Sequence, residues 1–193
     1  MDFRLRRDES GMARGMRVAV IGARGIGRHH ARWWHLEGAD VCAIAGTSEE
    51  SLDAAQDKLL ALFPFSGRSY SSVEEMLERQ APDFVDVCSP NACHAAHVRA
   101  ALGAGANVLC EKPLVYDEHA EDAELMAEAE ELVCMAGENE RSLSLCSQYY
   151  PAALACRRML DEHRCGGGGV HAIRGELASP ARGRPAVPMH VWV

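Results

Sequence analysis

The chain predicts an open α/β sheet of parallel strands, wound in both directions from its centre and followed by the beginning of an incomplete α+β domain. Three observations predict it. Short apolar runs rich in β-branched residues alternate with segments of helical period from residue 16 to residue 147. The first run, M-R-V-A-V-I at 16–21, passes directly into the glycine turn G-A-R-G-I-G at 22–27 and then into a helical stretch. The fourth and fifth runs end in Ser89-Pro90-Asn91 and Glu111-Lys112-Pro113, which a parallel sheet places at the same edge as the glycine turn.

The elements follow in order. After the turn, 26–36 reads as a helix and 41–45 as a second strand. Gly46-Thr47-Ser48 comes next, with Ser48 as the expected N-cap of a helix through Leu62. Residues 68–70 form a short strand, and Ser72 with Glu75 spells a capping box for a helix ending at Gln80. Strand 84–88, helix 94–102 and strand 107–110 follow. A long acidic helix is expected over 117–137, with Leu125, Ala129, Leu132 and Ala136 facing the sheet and Glu121, Asp122, Glu128 and Glu131 on its wet face. Strand 142–147 completes one Rossmann sheet. Beyond it, 151–163 reads as a helix, 166–169 as a flexible turn and 170–178 as a strand. The domain reading is therefore a disordered leader over 1–15, a dinucleotide-binding domain over 16–147, and over 148–193 a crossover helix and first strand of a truncated second domain.

Composition narrows the function. Apolar residues make up 48% and charged residues 25% of the 193, the balance of a globular chain. No run approaches the roughly 20 apolar residues that span a bilayer, and the leader lacks the apolar core of a signal peptide. A formal net charge of -8 argues against nucleic acid, which demands a basic face. Eight cysteines include no C-x-x-C pair, and Cys42, Cys88, Cys110 and Cys146 fall within or at the ends of apolar runs, so they read as buried thiols in a reducing cytoplasm rather than a disulfide frame or zinc knuckle. His94 and His97 share a helical face beside Cys93, but no second cluster has ligand spacing, and no metal is expected. His29, His30 and His35 are expected to pack along the first helix.

The glycine turn brings backbone N–H groups and a helix N-terminus up to a phosphate. A pyrophosphate is the natural guest, and a methyltransferase loop for an adenosyl sulfonium is the rival use of the same turn. Gly22, Arg24, Gly25, Ile26 and Gly27 are the candidate residues there. Arg24 stands where the middle glycine of the usual G-x-G-x-x-G belongs, and its guanidinium can itself meet phosphate. At the end of the second strand Gly46 replaces the acid that binds the ribose hydroxyls of NAD, while Thr47 and Ser48 offer donors to a 2′-phosphate. The sequence thus leans to NADP over NAD.

Taken together, G-A-R-G-I-G-R-H-H (22–30), V-D-V-C-S-P-N-A-C-H (85–94) and C-E-K-P-L (110–114) resemble the Gfo/Idh/MocA family, the relatives of glucose-fructose oxidoreductase and inositol dehydrogenase. The resemblance covers residues 16–175. It implies an N-terminal Rossmann domain binding NAD or NADP, a C-terminal substrate domain with a large open sheet, and hydride transfer between the nicotinamide and a hydroxyl-bearing carbon of a sugar, inositol or polyol. It also implies roles. Gly22, Gly25 and Gly27 hold the pyrophosphate, Pro90 and Asn91 border the ribose and nicotinamide, His94 matches the histidine that closes the family motif, and Ser89 and His94 are counted with the cofactor-binding residues. Glu111 lies near the nicotinamide ribose, and Lys112 acts as the catalytic donor to the substrate hydroxyl. Family members commonly pair through the second domain's sheet; with most of that sheet absent, homo-oligomer, monomer and aggregate all stay open. The family's further aspartate and histidine lie beyond Val193, so the expectation is a truncated copy that holds cofactor. The alternative reading is a non-catalytic dinucleotide-binding or regulatory module.

Overall fold

The computed structural model describes residues 15–147 and, beyond them, Arg158. The leader and the expected helix, turn and strand over 151–178 lie outside the described residues. Six strands, β1 (Arg17–Ile21), β2 (Asp40–Ala45), β3 (Arg68–Tyr70), β4 (Phe84–Val87), β5 (Asn107–Glu111) and β6 (Leu143–Cys146), form one sheet in the order β3-β2-β1-β4-β5-β6. Every pairing is parallel. This is the Rossmann topology, with the order reversing at β1 and β4.

The strands are apolar on both faces because helices cover both. Val18, Val20 and Ile44 face α1 (Gly27–Leu36) and α2 (Glu49–Leu60), where Ala31, Leu52 and Leu59 receive them. Ala19, Val85 and Val108 point the other way, onto α3 (Val73–Gln80), α4 (His94–Gly103) and α5 (Asp122–Glu138). Burying each Leu or Val this completely contributes about 1.5–3 kcal/mol. The β1–β2 register shifts between Val18 and Ala19, leaving Cys42 as the extra residue, and its thiol donates to the Val18 carbonyl at 3.4 Å.

Local signals account for most helix starts. Ser48 accepts the Ser51 N–H at 3.2 Å and Ser72 accepts that of Glu75 at 3.1 Å, as expected for N-caps. The Glu75 carboxylate pairs with Arg79 at 3.0 Å, an i,i+4 contact. The acidic helix begins later than the sequence predicts, at Asp122. The Asp117 carboxylate accepts the His119 N–H at 2.9 Å and turns the chain, and Glu121 and Glu124 then form the capping box. Leu132 and Ala136 are buried as expected, while Leu125 and Ala129 are only partly covered. Glu128 and Glu131 are not simply solvated: Arg99 of α4 reaches both, at 3.6 and 3.0 Å. Among the described residues no helix is long and apolar enough to cross a membrane.

Candidate functional site

The carboxyl ends of β1, β2 and β4 enclose a cavity of about 390 Å³. Six of the sequence-predicted residues line it: Gly22, Arg24, Gly25, Thr47, Ser89 and Pro90. Gly22 leaves β1 at φ +90°, and a Cβ there would lie 2.5 Å from the Cys88 carbonyl oxygen, so the turn rests directly on the end of β4. Gly27 has the same constraint from the other side, since its Cβ would lie 2.6 Å from the Gly22 oxygen. Gly25 differs, because a Cβ there meets nothing within 4 Å. The first two glycines let α1 pack down on the strand ends, and the third faces open space.

The entry of α1 suits an anion. Its N-cap is Ile26, half exposed, and no side chain caps the first turn. Arg24 is exposed on the cavity wall, with no hydrogen bond or ion pair to another described residue. Thr47 is exposed on the opposite side, while the Ser48 oxygen is engaged as the cap of α2. A turn whose amides no side chain caps, with a guanidinium beside it and a hollow in front of it, has the chemistry to receive a phosphate.

The remaining predicted residues lie at the ends of β4 and β5. Asn91 opens an exposed 3₁₀ turn, Asn91–Cys93. His94 is buried beneath it, with Nδ1 2.6 Å from the Pro113 carbonyl and Nε2 2.8 Å from that of Ser89. It therefore ties the segment after β5 to the segment after β4. His97 Nδ1 lies 2.9 Å from the Ser89 hydroxyl, and burial holds its imidazole below the ordinary value against the pull of Glu74. Glu111 ends β5, and one of its oxygens accepts the Lys112 backbone N–H at 3.1 Å. The Lys112–Pro113 peptide is cis, and the Lys112 side chain is exposed.

Sequence reasoning missed a second set. Asp86 is fully buried in β4, where it accepts Trp34 Nε1–H at 2.6 Å and the Cys88 thiol at 3.3 Å. Its carboxylate also lies 3.1 Å from His30 Nδ1, and His30 Nε2 lies 3.2 Å from Glu111. The hydrogen bond to Asp86, with the charges of Asp86 and Glu111, raises the His30 pKa against the effect of burial. Burial pushes the Cys88 thiol far up and that of Cys110 up to about 12, so both stay protonated. His30 with Asp86 and Cys88, and His30 with Glu111 and Cys146, bring donor atoms within 4.8 Å of one another, spacing that sequence alone does not reveal. The available signal was Asp86 itself, a carboxylate inside an apolar strand, which demands donors. Of the other histidines, His35 stacks on Phe63 at 4.8 Å and His29 is exposed.

Comparison with known proteins places these features. Residues 16–143 match the model of the Gfo/Idh/MocA oxidoreductase family with an NAD-binding Rossmann fold. The chain is 33% identical over 132 residues to glucose-6-phosphate 3-dehydrogenase of Bacillus subtilis, covering 66% of this chain and 35% of that protein. It is 39% identical over 101 residues to inositol 2-dehydrogenase of Acidiphilium cryptum, covering 51% and 29%. A 3-ketoreductase from Actinomadura kijaniata, solved with NADP and TDP-benzene, superposes with a TM-score of 0.60 at 29% identity, over 77% of this chain and 44% of that one. The chain spans about a third of the length of these two curated relatives.

Proposed function

The chain belongs to the Gfo/Idh/MocA oxidoreductase family and carries its NAD-binding Rossmann domain, and from that premise we propose that it binds a nicotinamide dinucleotide at the carboxyl edge of its sheet and serves hydride transfer to or from a carbinol carbon of a sugar, inositol or polyol. One observation carries the reading. Three segments far apart in sequence, the glycine turn, Ser89-Pro90-Asn91 and Glu111-Lys112, converge on that edge, and the first two wall a cavity of about 390 Å³.

In this reading Gly22 and Gly27 shape the turn. The amides at Gly25 and the start of α1 meet the pyrophosphate with Arg24 beside them. Glu111 and Asn91 stand on the nicotinamide side. When bound, the nicotinamide ring supplies the carbon that accepts or gives up hydride. Lys112 orients the substrate hydroxyl by a hydrogen bond from its ammonium group and stabilises the negative charge that grows on the oxygen as the proton leaves.

The preference is for NADP. Gly46 follows β2 without a carboxylate to repel a 2′-phosphate, and the exposed Thr47 lines the cavity. Leu52 is shared with a neighbouring hollow of about 450 Å³ that holds Arg68, alongside Arg79 and the acids Glu49, Asp53 and Glu75. A parallel thermal-shift titration with NAD and NADP tests the reading, because a ligand at 100 times its dissociation constant adds about 2.7 kcal/mol. Larger stabilisation by NADP, reduced in Arg68→Ala, supports it. The reverse order overturns the preference, and no shift with either on a folded chain overturns the function.

A further inference from the structure

One imidazole joins the helix after the glycine turn to the strand that ends in Glu111. The His30 side chain is 13% exposed and stands between two carboxylates, with Nδ1 3.1 Å from Asp86 and Nε2 3.2 Å from Glu111. A carboxylate accepts hydrogen bonds and does not donate them, so a ring that satisfies both neighbours carries a hydrogen on each nitrogen. Asp86 is itself fixed, fully buried and held by Trp34 and Cys88. Glu111 passes the constraint on, because its second oxygen accepts the Lys112 N–H at 3.1 Å.

We infer that His30 is a positioning residue: bonded to Asp86 on one side and Glu111 on the other, its protonated ring holds the Glu111–Lys112 peptide in place relative to the glycine turn, and the cofactor site loosens when the ring loses a proton. The inference rests on the cofactor reading above only for its binding readout. The groups around the ring agree with it. β4 presents Asp86 and Cys88, β5 presents Glu111 with Cys110 behind it and Lys112 after it, and β6 presents Cys146. Glu37 of the loop after α1 shares with His30 an apolar hollow of about 280 Å³. With a carboxylate at hydrogen-bond distance from each ring nitrogen, a proton is one occupant of the space between His30 and Glu111. Zinc is the competing occupant.

The test uses the full chain labelled with ¹⁵N. Imidazole nitrogens, assigned to His30 by their loss in His30→Gln, and the amides of Glu111 and Lys112 are followed from about pH 5 to about pH 9, the range in which a histidine titrates. NAD and NADP dissociation constants are measured over the same range. Four results support the inference. Both ring nitrogens are protonated near neutral pH, the Lys112 amide follows the His30 titration, and affinity falls at least about fivefold across it, a dependence lost in His30→Gln. Glu111→Gln, which keeps the shape of the side chain, moves the His30 titration to lower pH. A singly protonated ring near neutral pH, a Lys112 amide that ignores the titration, or one equivalent of Zn²⁺ abolishing that titration overturns it. If neither dinucleotide binds at any pH the cofactor reading fails, and the coupling of the Lys112 amide to His30 still decides this inference.

Discussion

His94 and Pro113 are 19 residues apart in sequence, yet Nδ1 of the first lies 2.6 Å from the carbonyl oxygen of the second. Because Nε2 also meets the Ser89 carbonyl at 2.8 Å, one buried ring sets the distance between the segments that follow β4 and β5. His94→Ala removes the ring N–H available to these carbonyls, at about 1–3 kcal/mol for a carbonyl left without a donor that water does not replace. Chemical denaturation is expected to show a loss of that order. Weaker dinucleotide binding is expected at temperatures where the variant remains folded.

The glycines of the turn separate folding from binding. Gly22→Ala forces a Cβ to 2.5 Å from a carbonyl oxygen at φ +90°, and is expected to destabilise the chain by roughly 2–5 kcal/mol. Gly25→Ala places its Cβ in open space, so stability should stay within about 0.5 kcal/mol while dinucleotide affinity falls. Melting curves and cofactor titrations of the two variants, run side by side, check both halves.

Trp34→Phe keeps an aromatic ring where the indole packs 5.7 Å from Phe84 but removes the N–H that Asp86 accepts at 2.6 Å. Asp86 retains His30 and Cys88, and the loss of one donor to a buried carboxylate is expected to lower stability by about 1–3 kcal/mol. Urea unfolding of the variant measures it.

The raised His30 pKa gives stability a sign in pH. Folding favours the protonated ring, so its contribution is fully present below the unfolded value of about 6.5 and is lost as pH rises through the higher native value. The stability difference between the wild-type chain and His30→Gln should therefore narrow with increasing pH across that window. Denaturation at a series of pH values tests this, and a gap that widens would contradict the assignment of the proton.

The strand runs and caps were legible because they depend on neighbours in sequence. Ser48 caps as read and Ser72 does so by its own half of the expected box, Glu75 turning to Arg79 instead of back to the cap, and the glycine turn with its two proline-containing companions lies at the predicted edge of a parallel sheet. The start of α5 was misread because helical period extends back to Asp117, while a local turn at Asp117–His119 and the capping box at Glu121 decide the boundary. The pairings His30–Asp86, His30–Glu111 and Arg99–Glu131 were invisible for a different reason. Each joins elements 32 to 81 residues apart, and only the β1–β4–β5 order or α4–α5 packing brings them together. Asp86 announced that it needed donors but could not name them.

The graded exposure of the thiols gives the native chain an internal clock. Cys134 is exposed on α5, whereas Cys110 is buried beside Cys88 with its thiol pushed up to about 12. An alkylating reagent acts on the thiolate, so Cys134 marks the rate of the intrinsic chemistry, and Cys110 reacts only as often as the end of β5 opens to water. The ratio of the two rates, read peptide by peptide in a mass spectrometer, counts those openings without adding a probe. Slower labelling of Cys110 in the presence of a dinucleotide would time how long the Glu111–Lys112 end of the sheet stays shut.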